Sequence, residues 1–414
     1  MKRLPLLLLL LLPILGFAQP PASIGLDMAT SLQDYDGSLI PPRAYPTYEL
    51  YERIMTELAA RYPDNCALEE WGVLPSGHRI LTLRITKNVR RSVGKPQVLL
   101  TAAMHGDETA GYWLMLKLAE HLLRAEPGRL LEDTEIFINP LANPDGAFPR
   151  GGQSLAGSRR GNSQGVDLNR NYPDPDDGAH PDDYAYQPET RIFMEAARRH
   201  SFDLALNLHG GAEVFNYPWD TYRQRHADND WWRRISRDFA SRAQTASGNG
   251  RYFQGRHQGV TNGHDWYPIA GSRQDYMNYY HRCREATLEV TKAKRFPARE
   301  LPSLWKYTRT ALLGYLNEAR RGVHGYVVDA NTGKPLKAHV SIPGHDYANS
   351  DVFTDPRYGN FYRFLSTGTY QLQVSSQGYE TEWVSLNVKD TQRTDLRIEL
   401  RPRMKPTELA VRKR

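Results

Sequence analysis

Residues 96–103 (Pro-Gln-Val-Leu-Leu-Thr-Ala-Ala) form a near-continuous apolar run with no alternation to separate an inner face from an outer one. Such a run belongs in a strand buried on both faces, which demands helices above and below a sheet. The neighbouring segments supply them. A helix is predicted over 46–61, where Leu50, Ile54 and Leu58 are four apart, and another over 109–124, where Leu114, Leu118 and Leu122 share a stripe. Residues 66–73 and 78–86 read as a hairpin across Pro75-Ser76-Gly77. Further strands are expected at 135–139, 203–208 and 285–290, with helices near 189–199, 229–245 and 302–320. The pattern predicts an α/β domain with a mixed, mostly parallel sheet flanked by helices. Sites in such folds lie beyond the carboxyl ends of the strands.

Near Gly322 the texture changes to short alternating runs, such as Tyr370-Leu372-Val374, Val384-Leu386-Val388 and Leu396-Ile398-Leu400. These predict a small all-β sandwich. The expected organisation is a leader over 1–18, an α/β domain over 19–321, a sandwich over 322–402 and a basic tail over 403–414. Lys2 and Arg3 precede the apolar run Leu4 to Leu15, and small residues then lead into Gln19. That arrangement is a secretory signal, too short to span a bilayer. The mature chain is therefore expected to be exported, secreted or periplasmic, without a membrane span. Its 53 Lys and Arg against 47 Asp and Glu are scattered, which argues against a nucleic-acid partner. Two cysteines make neither a disulfide framework nor a Cys-rich zinc cluster. Cys66 and Cys283 are compatible with one disulfide or with two buried thiols.

The chemistry gathers after the strands. His105-Gly106-Asp107-Glu108 directly follows the apolar run, and His209 ends the strand 203–208. Two imidazoles and a carboxylate leave a fourth zinc position open, the mark of a catalytic rather than a structural site. Taken alone, His-x-x-Glu is as compatible with a surface pair. Glu289 places a charge on an apolar strand, with Glu285 four residues earlier on the same face, so both could equally face solvent. Arg160 and Arg170 flank a polar loop, and Arg170 with Asn169 could hold a carboxylate in bidentate fashion.

Seven ordered segments carry a family resemblance. They are Met104–Glu108, Asn143–Gly146, Gly165–Pro173, Leu208–Gly211, Asp265–Pro268, Gln274–Tyr276 and Thr287–Glu289. With these the chain resembles M14 zinc carboxypeptidases, nearest to their N/E (regulatory) branch, and its sandwich resembles the transthyretin-like domain appended to that branch. The resemblance implies a carboxypeptidase-like fold and one zinc ion per chain held by His105, Glu108 and His209. It implies Glu289 as general base, Arg160 as oxyanion partner, Asn169 and Arg170 as the clamp on a substrate carboxylate, and Tyr267 as a closing side chain. Gln274 and Asp220 match the positions that set side-chain preference, which implies release of C-terminal Lys or Arg from peptides or proteins. Two departures stand out: Arg273 introduces a cation beside that pocket, and Arg159 competes with Arg160. A monomer is expected. The competing functions are a same-fold cell-wall peptidase acting beside diaminopimelate, which Asp220 opposes, and an inactive binding protein, whose signature of lost ligands is not seen.

Overall fold

Local chemistry sets where the elements begin. The Thr47 hydroxyl accepts from Leu50 N at 3.1 Å and so caps α1 (Tyr48–Arg61), which buries Tyr51, Ile54, Met55 and Leu58. The hairpin follows as β1 (Cys66–Val73) and β2 (Arg79–Ile85), then β3 (Gln97–Ala102), α2 (Ala110–Arg124) and β4 (Glu135–Asn139). Pro188 starts α3 (Pro188–Arg199) at a position where a missing N–H costs nothing. The domain continues through β5 (Phe202–His209), β6 (Ala212–Tyr217), α4 (Asn229–Ser247), β7 (Val260–Asn262), α5 (Arg273–His281), β8 (Arg284–Thr291) and α6 (Leu301–Glu318). The computed structural model describes residues 37–91, 94–125, 129–248 and 250–403, and the chain from Ile40 onward is a single unit. The expected leader, and the tail apart from Arg403, lie outside the described residues.

The eight strands order as β1-β2-β4-β3-β5-β8-β6-β7. Its central strands β4, β3, β5 and β8 run parallel, while β1, β2 and β6 join antiparallel. The unbroken apolar runs occupy the parallel centre, as burial on both faces requires. Strands β6 and β7 and helix α5 were not expected from the sequence. Gly211, at φ 134°, reverses the chain just after His209 so that β6 can return along β8, a conformation that favours glycine. Helix α5 is polar and aromatic without a 3.6 period, because nearly all of it is enclosed; its start is set by Ser272, whose hydroxyl accepts from Asp275 N at 3.1 Å.

The C-terminal sandwich packs a four-stranded sheet, β10 (His339–Ser341), β11 (Val352–Phe353), β13 (Gly368–Ser375) and β14 (Glu382–Val388), against a three-stranded one. The latter holds β9 (Gly322–Asp329), β12 (Asn360–Arg363) and β15 (Arg393–Leu400), with β15 parallel to β9. Val323, Val340, Leu372, Val374 and Ile398 fill the space between. The disulfide alternative is not realised: Cys66 opens β1 at one sheet edge, Cys283 precedes β8, and both are buried free thiols. Burial pushes the Cys66 thiol up to about 12.

A buried ionic cluster joins the two domains. Asp228 Oδ2 accepts from Arg284 Nη2 at 2.7 Å, and Asp228 Oδ1 meets His345 Nε2 at 2.9 Å and Arg363 Nη2 at 3.5 Å. Burial opposes charge on Asp228, yet Arg363 and Arg284 outweigh it and hold the carboxyl well below its ordinary range. Removing one partner from such a cluster strands the others without solvent. Asp228→Ala is therefore expected to lower unfolding free energy by about 3–5 kcal/mol, read from urea denaturation. Because the folded carboxyl titrates lower than the unfolded one, this stability is present at neutral pH and fades as pH falls below the unfolded value.

Candidate metal and peptide site

Parallel pairing assembles the site. In the β3–β5 ladder Ala102 pairs with Leu208, so His105, just past β3, and His209, at the end of β5, emerge side by side. On the other flank of β5, Glu289 of β8 pairs with His209 itself. Glu108 lies in the turn between β3 and α2, and this turn packs tightly on Asn143-Pro144-Asp145-Gly146. A Cβ on Gly106 would sit 2.1 Å from the Gly146 carbonyl carbon, so only glycine permits the approach.

Among the described residues, His105, Glu108 and His209 are the one trio of metal-ligand type with all ligand atoms within 4.8 Å. The two Nδ1 atoms are 3.1 Å apart, and Glu108 oxygens lie 3.1 Å from His105 Nδ1 and 2.9 Å from His209 Nδ1. Tetrahedral zinc separates its ligand atoms by roughly 3.3 Å, so a small outward adjustment accommodates it. The donor set also fits: two imidazole nitrogens and a carboxylate, all buried, converge on one point. Their far sides are held in turn. His105 Nε2 meets Asp167 Oδ1 at 3.0 Å, the outer acceptor a ligating imidazole needs, and His209 Nε2 lies 2.7 Å from Asn207 Nδ2.

Charge follows this geometry. Burial lowers His209 to about 4, keeping it neutral and able to donate a lone pair. For His105 burial also disfavours protonation, but Glu108 and Asp167 outweigh it and raise its pKa. Glu108 is held well below the carboxylate range because the two imidazoles outweigh its burial. Glu289 is the opposite case: burial, reinforced by the Glu108 charge, pushes it up to about 8. Its Oε2 is enclosed and has no hydrogen-bond partner, an arrangement suited to a group that takes up a proton.

Most of the remaining residues line one cavity with His105 and His209, while Glu108, Arg170 and Gln274 stand outside its lining. Its walls include Arg160, Asn169, Asn216, Asp220, Tyr267, Thr287 and Glu289. Arg160 Nε donates to Asp167 Oδ2 at 2.8 Å, and its Nη1 reaches Glu108 Oε1 at 3.4 Å. Arg159 points away and donates to Ser163 O at 3.2 Å, so it does not share the Arg160 position. Arg170 Nη1 donates to Asn169 O at 2.7 Å; burial raises the pKa of Asp220, and the Arg170 charge only partly opposes this. Tyr267, 48% exposed, stands at the mouth. Asp220 is buried and its Oδ1 accepts from Asn216 Nδ2 at 3.1 Å; a Cβ on Gly263 would lie 1.9 Å from that oxygen. Gln274 lies behind the Thr287 wall, its Oε1 accepting from Thr287 N at 2.8 Å while its buried Nε2 has no partner.

The expectation for Arg273 is corrected. Its guanidinium turns into the core, where Nε donates to Glu285 Oε1 at 2.9 Å and Nη2 reaches Thr101 Oγ1. Glu285, fully buried, therefore does not face solvent, and the Arg273 charge is neutralised away from the pocket.

Comparison with known proteins fits this geometry. The description "Zinc carboxypeptidase" matches residues 51–311, and "Carboxypeptidase regulatory-like domain" matches 322–401. The chain belongs to the zinc carboxypeptidase family. Carboxypeptidase D of Homo sapiens is 35% identical over 339 residues, which cover 75% of this chain and 24% of that protein. The chain thus spans about a quarter of the carboxypeptidase D relatives it matches. Carboxypeptidase M of Mus musculus is 30% identical over 83% of this chain and 81% of its own length; the carboxypeptidase N catalytic chain of Homo sapiens is 32% identical over 77% and 78%. In fold, a carboxypeptidase A from Helicoverpa armigera superposes with a TM-score of 0.58 at 20% identity, covering 70% of this chain and 78% of that one.

Several residues of this carboxypeptidase site escaped the sequence reading. Asp167 and Asn207 support the histidines, Asp275 braces the Asp220 loop, and Lys294 donates to Glu108 Oε1 at 3.0 Å. Asp167 and Asp275 sat inside recognised motifs; nothing in spacing marked Asn207 or Lys294. Glu289 yields a test in the metal-free protein. Its folded pKa exceeds the unfolded one, so the folded state binds the extra proton and this group's contribution falls as pH rises from about 4.5 towards 8. Chemical denaturation across that range is expected to show a shallower decline in Glu289→Gln, and zinc is expected to suppress the decline in the unsubstituted protein.

Proposed function

We propose that the chain is a zinc-dependent carboxypeptidase that releases C-terminal Lys or Arg from peptides outside the cytoplasm. One observation carries the reading: the buried acid Asp220 lines the same cavity as His105, His209 and Glu289, with Glu108 directly behind the two histidines. Zinc bound by the trio would supply a Lewis acid that activates water and polarises the scissile carbonyl. The protein groups complete the reaction. Asn169 and Arg170 hold the terminal carboxylate, which fixes the last peptide bond in reach. Glu289, its basicity raised by burial, accepts the proton from the attacking water and returns it to the leaving amine. Arg160 presents a fixed cation to the charge that develops on the carbonyl oxygen. Tyr267 covers the mouth and limits water.

The side-chain preference rests on electrostatics. Burial raises the pKa of Asp220 against the opposing bonds from Ser272 and Asn216, so an unpaired negative charge there is costly. A guanidinium or ammonium entering the pocket relieves that cost, whereas an apolar side chain leaves it in place. A second carboxylate, as on diaminopimelate, would aggravate it. The export reading rests on the leader over 1–18. No helix among the described residues is long and apolar enough to cross a membrane.

Hydrolysis of hippuryl-Arg, hippuryl-Lys and hippuryl-Phe tests the proposal, with activity expected to vanish in a chelator and return with zinc. Equal or greater turnover of hippuryl-Phe would sink the preference, and chelator-resistant turnover would sink the metal. Asp220→Asn is expected to cost about 2–3 kcal/mol in kcat/KM for hippuryl-Arg, roughly 30- to 150-fold, with little change for hippuryl-Phe. The Arg-over-Phe ratio should also decline as acid protonates Asp220, at a higher pH than an ordinary carboxylate would require. Glu289→Gln should retain one zinc per chain by metal analysis yet lose most turnover.

A further inference from the structure

The sandwich contributes one loop, residues 345–351, that touches two segments packed behind the Asp220 pocket, its outer walls, although none of the residues touched lines the cavity itself. One wall is the chain that runs on from Asp220 to Asp228; the other is α5, which carries Gln274 and Asp275. On the first, His345 Nε2 meets Asp228 Oδ1 at 2.9 Å and the Tyr347 hydroxyl donates to the Arg225 carbonyl. On the second, Asn349 Nδ2 donates to Tyr279 O at 3.1 Å, and Asp351 Oδ2 accepts from Arg282 Nε at 3.0 Å. Near the pocket the same two walls are joined by Asp275, whose carboxylate accepts from Asp220 N at 3.0 Å and Thr221 N at 2.8 Å. The walls are thus tied twice, once by a residue of the peptidase domain and once by the sandwich.

The loop is braced for this task. Ser350 Oγ donates to Asp346 Oδ1 at 2.9 Å, and Arg363 Nη2 donates to that oxygen at 2.7 Å. Ala348 and Asn349 hold φ values of 47° and 59°, left-handed conformations that side-chain-bearing residues rarely adopt and that persist only where surroundings enforce them. Asn349, one of the strained pair, and Tyr347, just before it, carry the two outward contacts, one to each wall.

We propose that the C-terminal domain sets substrate selectivity, with Tyr347 and Asn349 as positioning residues that hold the Asp220 strap and α5 at a fixed separation. This rests on the carboxypeptidase reading above. Neither side chain lines the cavity, so each acts through the wall it grips. A looser separation lets Asp220 drift from the side chain it is placed to receive, while the metal trio, anchored on β3 and β5, stays in place. Selective loss of binding follows, because displacement of about 1 Å at a positioned group is enough to weaken it severely.

The test is the full-length double variant Tyr347→Phe/Asn349→Gly. Phe keeps the ring, Gly accepts the left-handed backbone, and the bracing by Asp346, Ser350 and Arg363 is untouched. KM for hippuryl-Arg is expected to rise about tenfold with kcat nearly unchanged, and KM for a substrate ending in Gly, which sends no side chain into the pocket, should not move. Hydrogen exchange should quicken in 219–228 and 273–281 but not in 97–102 or 202–209. A uniform fall in kcat for every substrate, or unchanged KM and exchange in a folded variant, would overturn the proposal. Its failure is separable from that of the function: if the unsubstituted protein prefers another C-terminal residue, or hydrolyses none, the function reading falls, and the exchange pattern still decides whether the loop holds the walls.

Discussion

The register of three parallel strands governs this molecule. Because β3, β5 and β8 are adjacent and aligned, their carboxyl ends bring two imidazoles and two carboxylates into one enclosed space. Gathering such groups away from water is costly unless their charges are reconciled. Against its burial, Glu108 is held low by the His105 charge and by hydrogen bonds from both imidazoles, while burial and the Glu108 charge push Glu289 up to about 8. The two glutamates thus differ in what faces them, one in the turn after β3 and the other within β8, on opposite flanks of β5.

The same rule operates away from the site. Arg273 pairs with Glu285 inside the core, and Asp228 gathers Arg284, Arg363 and His345 at the domain junction. Each is a buried charge stabilised by geometry rather than by solvent, so each specifies one arrangement of the elements that carry it. The junction gives the sandwich a defined seat beside α5 and the Asp220 strap. The appended domain is thereby placed against α5 and the chain that runs on from Asp220.

Much of this was legible in the chain. Apolar runs such as Val98–Leu100 and Leu204–Leu206 announced the central strands, since burial on both faces leaves few polar positions to disguise them. Position at strand ends made His105 and His209 candidates, and the family resemblance implied the full trio with Glu108. Helix α5 was not readable, as a helix enclosed on nearly all sides loses its amphipathic period. Strand β6 was hidden because its return depends on a single glycine conformation at Gly211. Asn207 and Lys294 gave no signal, since an isolated polar residue acquires its meaning only from what lies across from it.

Arg273 marks the boundary most clearly. Its neighbours in sequence placed it beside the pocket, and its partner Glu285 lies 12 residues away on β8, reached only after the helix has turned it inward. Sequence by itself determined the fold class and the strand ends where chemistry gathers, because periodicity and residue type are local properties, and its resemblance to a family implied the metal-type ligands. Tertiary structure alone decided which charges are paired, which thiols stay apart and which base is raised. Those outcomes depend on distance and burial, and both exist only once remote segments have packed together.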